Sequence, residues 1–211
     1  MTTVFLIRHG EVEGNSGPEP RFVGWSDKAL TPVGEAQAQA VAKRLGSERI
    51  EAIYSSDLQR AQHTAERIAG EHGLNVQPDA ALREANYGAW EGLSETEITA
   101  TWPDLWQQRM ANAVLVAPPQ GESYADVWTR WQPAWQAIVE RHRGGSIAIV
   151  AHNGALRILL CHLLGMPFEN FRRIYIGNAG ISRVELMFKD PDAEPRAVVQ
   201  YINETCHLKN I

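Results

Sequence analysis

The sequence predicts an α/β protein, a three-layer sandwich in which a central mixed, mostly parallel sheet is flanked by helices. Two observations support this fold class. Short unbroken apolar runs, such as residues 4–7 and 147–151, are typical of strands that are buried on both faces. Segments with apolar residues at helical spacing follow these runs, and such strand–helix alternation is typical of a sheet with parallel strands.

The clearest helix start follows the first strand. Thr31 is the expected N-cap, Pro32 the first helical residue and Glu35 an acidic residue in the first turn, and this helix should run to about Leu45. The other predicted elements are, in order, a strand over 50–54, a helix capped by Ser56 or Asp57, a helix over 155–164, and short extended segments over 173–176, 181–188 and 197–202, of which the final strands can be antiparallel.

The middle of the chain departs from this alternation and predicts a helical insertion over about residues 94–143. Trp102 and Trp106 are four residues apart, and Trp128, Trp131 and Trp135 follow the i, i+3, i+7 spacing of one helical face. We interpret these rings mainly as packing between the insertion and the body of the protein. The alternative is that some of them line the mouth of a pocket for an apolar group.

Length and composition fit a single domain over residues 1–211, with 44% hydrophobic residues to form its core. The chain has 20 Lys and Arg against 25 Asp and Glu, a formal charge of -5, which gives no indication of a nucleic-acid partner. The apolar run at the N-terminus is too short for a signal sequence or a membrane span, so we expect a cytoplasmic protein without membrane association. Cys161 and Cys206 have no metal-binding spacing and predict no disulfide.

Two histidines follow predicted strands directly, His9 after the first and His152 after the strand over 146–151. The carboxyl ends of parallel strands meet at one edge of a sheet, where backbone amides and helix N-termini converge. One histidine in such a place is more often structural. Two at equivalent strand ends favour a reactive site.

Arginines and a glutamate near these histidines are the groups that chemistry on a phosphate ester requires. A phosphoryl group needs planar cationic donors, an in-line nucleophile and an acid that protonates the leaving oxygen. Arg8 directly precedes His9, and Arg60 lies early in the helix after the second strand, where it could also be an ordinary solvated residue. Glu84 precedes an aromatic, turn-rich stretch over 87–92 that would partly desolvate its carboxyl group, as suits a proton donor.

Five blocks resemble those of the histidine phosphatase (phosphoglycerate mutase-like) superfamily in order and spacing. They lie between Val4 and about Arg157 and read FLIRHGEVEGN, LTPVGEAQAQ, YSSDLQRAQHTA, LREANYGAWEG and IVAHNGALR. Arg-His-Gly alone would be a weak signal, whereas five ordered blocks are specific. The closing NETCHL is similar to the ending of some phosphatase branches.

The resemblance implies a role for each matching position. His9 would be the nucleophile that forms a phosphohistidine, and Glu84 would protonate the leaving oxygen and then activate water. Arg8, Arg60 and His152 would form the phosphate pocket, with His152 cationic to balance charge. Asn15 would contribute its side-chain amide. The helical insertion would cap this active site.

Asn153 and Arg21 are two further candidate site residues, and no metal ion is expected. Asn153 stands where many relatives have Gly, and it can be a helix N-cap, present its backbone N–H to phosphate, or do both. Arg21 matches an arginine that contacts substrate in mutase-like relatives, but it could equally be a solvated loop residue. The scheme needs no metal or other cofactor, and the sequence has no obvious cluster of metal ligands.

The resemblance implies a metal-independent phosphomonoester hydrolase for a small phosphorylated metabolite, similar to α-ribazole and broad-specificity phosphatases. A mutase must keep water from phosphohistidine, which favours a longer enclosing insertion than this chain provides. Phosphoglycerate mutase is therefore the alternative. A third hypothesis, a binding or regulatory module without turnover, is disfavoured by the complete set of chemical groups. A homodimer would be indicated if part of the Trp128, Trp131 and Trp135 face were exposed.

Overall fold

A mixed sheet forms the centre of the protein in a computed structural model, which describes residues 1–189, 194–209 and 211. Within these residues the sheet has six strands, in the spatial order β3 (Val76–Pro78), β2 (Ala52–Ser55), β4 (Ser146–Ala151), β1 (Thr2–Arg8), β5 (Ile181–Met187) and β6 (Arg196–Glu204). The first four are parallel, whereas β5 is antiparallel to both β1 and β6. The predicted α/β class and the mixed, mostly parallel sheet are confirmed.

Helices cover both faces of this sheet. One face packs against α1 (Pro32–Leu45) and α2 (Gln59–His72), and the other packs against α5 (Tyr124–Arg141) and α6 (Asn153–Leu163). Side chains alternate along β1, so Phe5 and Ile7 belong to the core beneath α1 and α2, and Val4 and Leu6 belong to the core beneath α5 and α6. This two-sided burial explains the unbroken apolar run in the sequence.

Helix starts show where local sequence is decisive and where it is not. Thr31 caps α1 as predicted, because its side chain accepts from the Gly34 amide at 3.0 Å. Neither Ser56 nor Asp57 caps α2, which begins after Leu58. The Gln59 amide donates instead to Asp27 Oδ1 at 2.8 Å, so a residue from a distant loop supplies the cap.

One strand prediction is wrong, and one strand of the sheet was not predicted. Residues 173–176 are not a strand, since a 3-10 helix over Phe168–Arg173 leads into an irregular segment in which Ile174 and Ile176 are buried. The edge strand β3 was not predicted, because its three residues are partly or fully exposed and have no apolar run. The strand over 146–151 is confirmed.

The tryptophan-rich region divides between core and cavity. In α5, Trp131 and Trp135 are 1% and 4% exposed and belong to the core, which agrees with the packing interpretation. Trp128 packs against Phe168 and His162. Because Trp128 is only half-buried, the homodimer stays a prediction. The shorter helices α3 (Glu95–Thr101) and α4 (Pro103–Ala111) lie beside the cavity described below, and Trp106 of α4 lines it.

The division into a single domain over residues 1–211 with an insertion over about 94–143 stays a prediction. Helix α5, which the predicted insertion includes, shares one apolar core with β1, β4 and α6. Within the described residues, no helix combines the length and apolar character needed to cross a membrane.

Trp131→Ala should lower the free energy of unfolding by about 3–5 kcal/mol, because it leaves a cavity in the core. Urea unfolding followed by circular dichroism measures this loss. Leu115→Ala, at a side chain that is 70% exposed, is the control and should change the free energy by less than about 0.5 kcal/mol. Equal losses in the two variants would show that the Trp131 ring does not pack the core.

Candidate active site

The parallel pairing of β1 with β4 places the two predicted histidines side by side. Arg8 is in register with Ala151, and the His9 amide donates to the Ala151 carbonyl at 3.0 Å. Their next residues, His9 and His152, are both buried, with ring centroids 5.1 Å apart. The two histidines thus meet at the carboxyl edge of the sheet, as expected from the sequence.

The surroundings of His9 determine which ring nitrogen carries its lone pair. Nδ1 lies 2.6 Å from the Gly10 carbonyl oxygen, and a carbonyl can only accept, so Nδ1 must be the donor. Nε2 then carries the lone pair of the neutral ring. Burial, together with the charges of Arg60 and Arg8, lowers the pKa of His9 well below its ordinary value. His9 is therefore neutral at neutral pH, with an unprotonated Nε2.

Arg60 lies against that nitrogen and is fully buried. Its Nε donates to His9 Nε2 at 3.3 Å. Its Nη1 donates to the Ser26 carbonyl at 2.8 Å and its Nη2 to the Gly24 carbonyl at 2.5 Å. Burial lowers the pKa of Arg60, which nevertheless remains a cation at neutral pH. The guanidinium plane is thus fixed by backbone carbonyls on one side and by His9 on the other.

Two further guanidinium groups, those of Arg8 and Arg157, retain free donors at the cavity. Arg8 Nη1 donates to the Ile176 carbonyl at 2.9 Å, while its Nε is buried and has no hydrogen-bond partner in the described part of the chain. The pKa of Arg8 is lowered to about 10, mainly by burial and in smaller part by the charge of the neighbouring Arg157. The Nε of Arg157 is likewise buried and unpartnered within the described ranges. Two cations with unused donors side by side favour an anion between them.

Glu84 is held at the start of α6. Its Oε2 accepts from the Gly154 amide at 2.8 Å, and its Oε1 accepts from the amides of Ala155 at 3.2 Å and Ala85 at 2.9 Å. Gly154 permits this contact, since an added Cβ would lie 2.2 Å from Tyr124 Oη and 2.7 Å from Glu84 Oε1. The Glu84 side chain is buried, and it lines the same cavity as Arg8 and His9.

The electrostatics of His152 differ from the sequence expectation. Both of its ring nitrogens are buried without a hydrogen-bond partner among the described residues. Burial and the charge of Arg60 lower the pKa of His152 well below its ordinary value, so the ring is neutral rather than cationic at neutral pH. The expectation was made for a ring beside a phosphate dianion, whose charge would oppose this lowering, so a cationic His152 in the complex with substrate stays a prediction.

The three remaining candidates all line the cavity but are held differently. Asn15 Oδ1 accepts from the Val12 amide at 3.3 Å. Asn153 is the first residue of α6 and not its N-cap, which is His152, and Asn153 Oδ1 is buried without a partner in the described chain. Arg21 is exposed and pairs with Glu97 at 3.0 Å, so it ties the loop after β1 to α3.

The cavity has a volume of about 780 Å³, much larger than a phosphate ion, and Arg8, His9 and Glu84 line it, whereas Arg60 and His152 contact His9 without lining it. Sequence reasoning missed several residues in the cavity wall. Arg109 is 2% exposed, donates to the Val116 carbonyl, and lies within 5.6 to 5.9 Å of the ring centres of Tyr87, Trp90 and Tyr124. No local pattern marks Arg109 in the sequence. Arg157 could have been found, since it lies four residues after Asn153 on one face of α6.

Burial raises the pKa of Tyr124 to about 12, so its hydroxyl remains a donor in this cavity. The wall is therefore polar and cationic as well as aromatic, and Trp106 is the tryptophan of the insertion that lines it within the described residues. Among the residues that the structure describes, no group of three or more His, Cys, Asp or Glu side chains is arranged to hold a metal ion.

Comparisons with known proteins agree with this geometry. The model of the histidine phosphatase superfamily (branch 1) matches residues 4–194. The probable phosphoglycerate mutase GpmB of Yersinia enterocolitica is 37% identical over 209 residues, which cover 99% of this chain and 95% of that protein.

Two solved structures resemble the fold closely. Mycobacterial glucosyl-3-phosphoglycerate phosphatase, solved with VO3, has a TM-score of 0.85 and 31% identity, covering 96% of this chain and 99% of that chain. The α-ribazole phosphatase of Shigella flexneri has a TM-score of 0.85 and 25% identity, covering 96% of each chain. Sequence, fold and site together place this chain in the histidine phosphatase superfamily, to which it belongs.

Proposed function

We propose that the protein hydrolyses phosphomonoesters without a metal ion, through a phosphohistidine on His9. The observation that carries this proposal is the unprotonated Nε2 of a neutral, buried His9, which lies in contact with a guanidinium group. Nε2 attacks phosphorus, the bond from phosphorus to the ester oxygen breaks, and Glu84 gives its proton to that oxygen. The Nδ1 hydrogen bond to Gly10 supports the positive charge that develops on the ring.

The second step returns the enzyme to its starting state. Glu84, now a carboxylate, removes a proton from water while the water oxygen attacks phosphorus and the bond to Nε2 breaks. Phosphate leaves and His9 is neutral again. The proton that Glu84 gives to the ester oxygen in the first step is thus replaced by the proton that it takes from water in the second.

We assign the remaining site residues to the phosphoryl oxygens. Arg8 and Arg60 supply charged donors, and Asn15, His152 and Asn153 supply neutral polar contacts. A neutral His152 can donate one ring N–H to a phosphoryl oxygen, and the dianion would in turn oppose the lowering of its pKa. A small phosphate ester is the expected ligand. Cytoplasmic location stays a prediction.

Phosphoglycerate mutase is the second candidate, because the curated relative at 37% identity carries that name. Hydrolysis is favoured because exposed loop residues, from Pro18 to Arg21, line one side of the cavity, so that water reaches it. The solved relatives that are named as phosphatases also favour hydrolysis.

Incubation with 3-phosphoglycerate and a trace of 2,3-bisphosphoglycerate, followed by ³¹P NMR, separates the two activities. We expect release of inorganic phosphate to exceed formation of 2-phosphoglycerate, and EDTA to leave the rate unchanged. His9→Ala should lower hydrolysis of an aryl phosphate by at least about a thousandfold, whereas His63→Ala on α2 should retain activity. Faster 2-phosphoglycerate formation would favour the mutase, and no turnover of any ester would favour a binding module.

The arginines beyond the phosphate pocket support a substrate with a second anionic group. Arg157 has an unused buried donor, and Arg109 is a buried cation held by carbonyls and rings, with no carboxylate in salt-bridge contact among the described residues. A carboxylate or second phosphate on the leaving group would complete this arrangement. Neutral leaving groups would leave both cations unpaired.

Arg157→Gln should therefore lower kcat/KM for 3-phosphoglycerate more than for glycerol 3-phosphate, which lacks the carboxylate. The expected difference is about 10- to 100-fold, the size of one or two charge-assisted hydrogen bonds. Steady-state kinetics on both esters measure it, with Arg67→Gln, at an exposed residue of α2, as the matched control. An equal loss on both esters would contradict a second anionic group at Arg157.

A further inference from the structure

The carboxylate of Glu91 organises the loop over residues 24–26, and this loop holds Arg60. Both carboxylate oxygens are fully used by donors from the loop and from Tyr87. Oε1 accepts from the amides of Trp25 at 2.7 Å and Tyr87 at 3.0 Å, and Oε2 accepts from the amides of Gly24 at 3.0 Å and Ser26 at 3.3 Å and from Ser26 Oγ at 2.7 Å. Five donors on one carboxylate fix the path of the loop.

The opposite side of the same loop faces Arg60. The carbonyls of Gly24 and Ser26 accept from the two terminal nitrogens of its guanidinium group, while the amides of the same residues point to Glu91. The loop is thus polarised between an anion and a cation, with its amides towards Glu91 and its carbonyls towards Arg60. This leaves Arg60 Nε directed at His9 Nε2.

The loop also contacts the segment that carries the acid. Trp25 Nε1 donates to the Glu84 carbonyl at 2.8 Å. A Cβ added to Gly24 would lie 2.2 Å from the Ala85 carbonyl oxygen and 2.4 Å from Glu91 Oε1, so only glycine permits this approach. The loop therefore connects the position of Arg60 to that of the segment that carries Glu84.

We propose that Glu91 is a positioning residue, which sets the orientation of Arg60 towards the phosphoryl group through the carbonyls of Gly24 and Ser26. Both carboxylate oxygens of Glu91 are already occupied by the loop and by Tyr87, so Glu91 acts through the loop and not by touching the substrate. Its negative charge also opposes the effect of burial on the pKa of Arg60. This inference rests on the proposed roles of His9 and Arg60.

A double-mutant cycle with Glu91→Gln and Arg60→Gln tests the coupling. Gln keeps the size of the side chain but replaces one acceptor oxygen with an NH2 group, which must face amide donors. We expect Glu91→Gln to lower kcat/KM for an aryl phosphate, and to weaken binding of vanadate, by about 10- to 100-fold, because Arg60 is misplaced. In the Arg60→Gln background, Glu91→Gln should lower kcat/KM and the affinity for vanadate by less than about threefold.

Asp126→Asn is the matched control. Like Glu91, Asp126 accepts from a backbone amide and a serine Oγ, both of Ser123, but it lies at the start of α5. Asp126→Asn should therefore change kcat/KM and the affinity for vanadate by less than about twofold. If Glu91→Gln does not fold, as judged by circular dichroism, Glu91→Asp takes its place in the cycle, since it keeps the charge and withdraws the carboxylate by one methylene.

Equal losses from the Glu91 change in the wild-type and Arg60→Gln backgrounds would overturn the inference, because the two residues would then act independently. Vanadate binding, followed by isothermal titration calorimetry, reports the position of Arg60 without turnover. A wild-type protein that binds vanadate but hydrolyses no ester would contradict the proposed function alone. Unchanged vanadate affinity in Arg60→Gln would overturn both the inference on Glu91 and the proposed function.

Discussion

The parallel pairing of β1 with β4 is the constraint on which the rest of the site depends. It places His9 and His152 at adjacent strand ends, and the hydrogen bond from the His9 amide to Ala151 fixes their spacing. The chain leaves β4 directly into α6, whose first amides hold Glu84. A nucleophile, a second imidazole and an acid thus converge at one sheet edge because two neighbouring strands run in the same direction.

Cations dominate this buried edge, and carbonyl oxygens hold several of them. Arg60 is fixed by the carbonyls of Gly24 and Ser26, and Arg8 by that of Ile176. Carbonyls orient a guanidinium group without neutralising it, so its charge remains available to an anion. Burial and, after it, the same charge keep both histidines neutral, and the neutral His9 has the lone pair for attack on phosphorus. One electrostatic arrangement therefore serves both binding and nucleophilicity.

The sequence predicts those parts of the site that depend on local pattern. His9 and His152 follow apolar strands, and Thr31 caps its own helix, so each is recognisable from its neighbours. Contacts between distant segments are not predictable in this way. Asp27 caps α2 across 32 residues, Arg109 enters the cavity from a short helix, and the Glu91 contacts depend on a loop more than 60 residues away. The lowered pKa of His152 likewise depends on burial and on arginines that distant segments bring to the ring.

The central claim is that Nε2 of His9 accepts the phosphoryl group. Rapid acid-free quenching of the enzyme with a ³²P-labelled ester, followed by peptide mapping and separation of the two phosphohistidine isomers, tests it directly. The account predicts label on His9 alone, as the Nε2 isomer, because Nδ1 is engaged with Gly10. Label on His152, on Nδ1 of His9, or on no histidine while hydrolysis proceeds would contradict it.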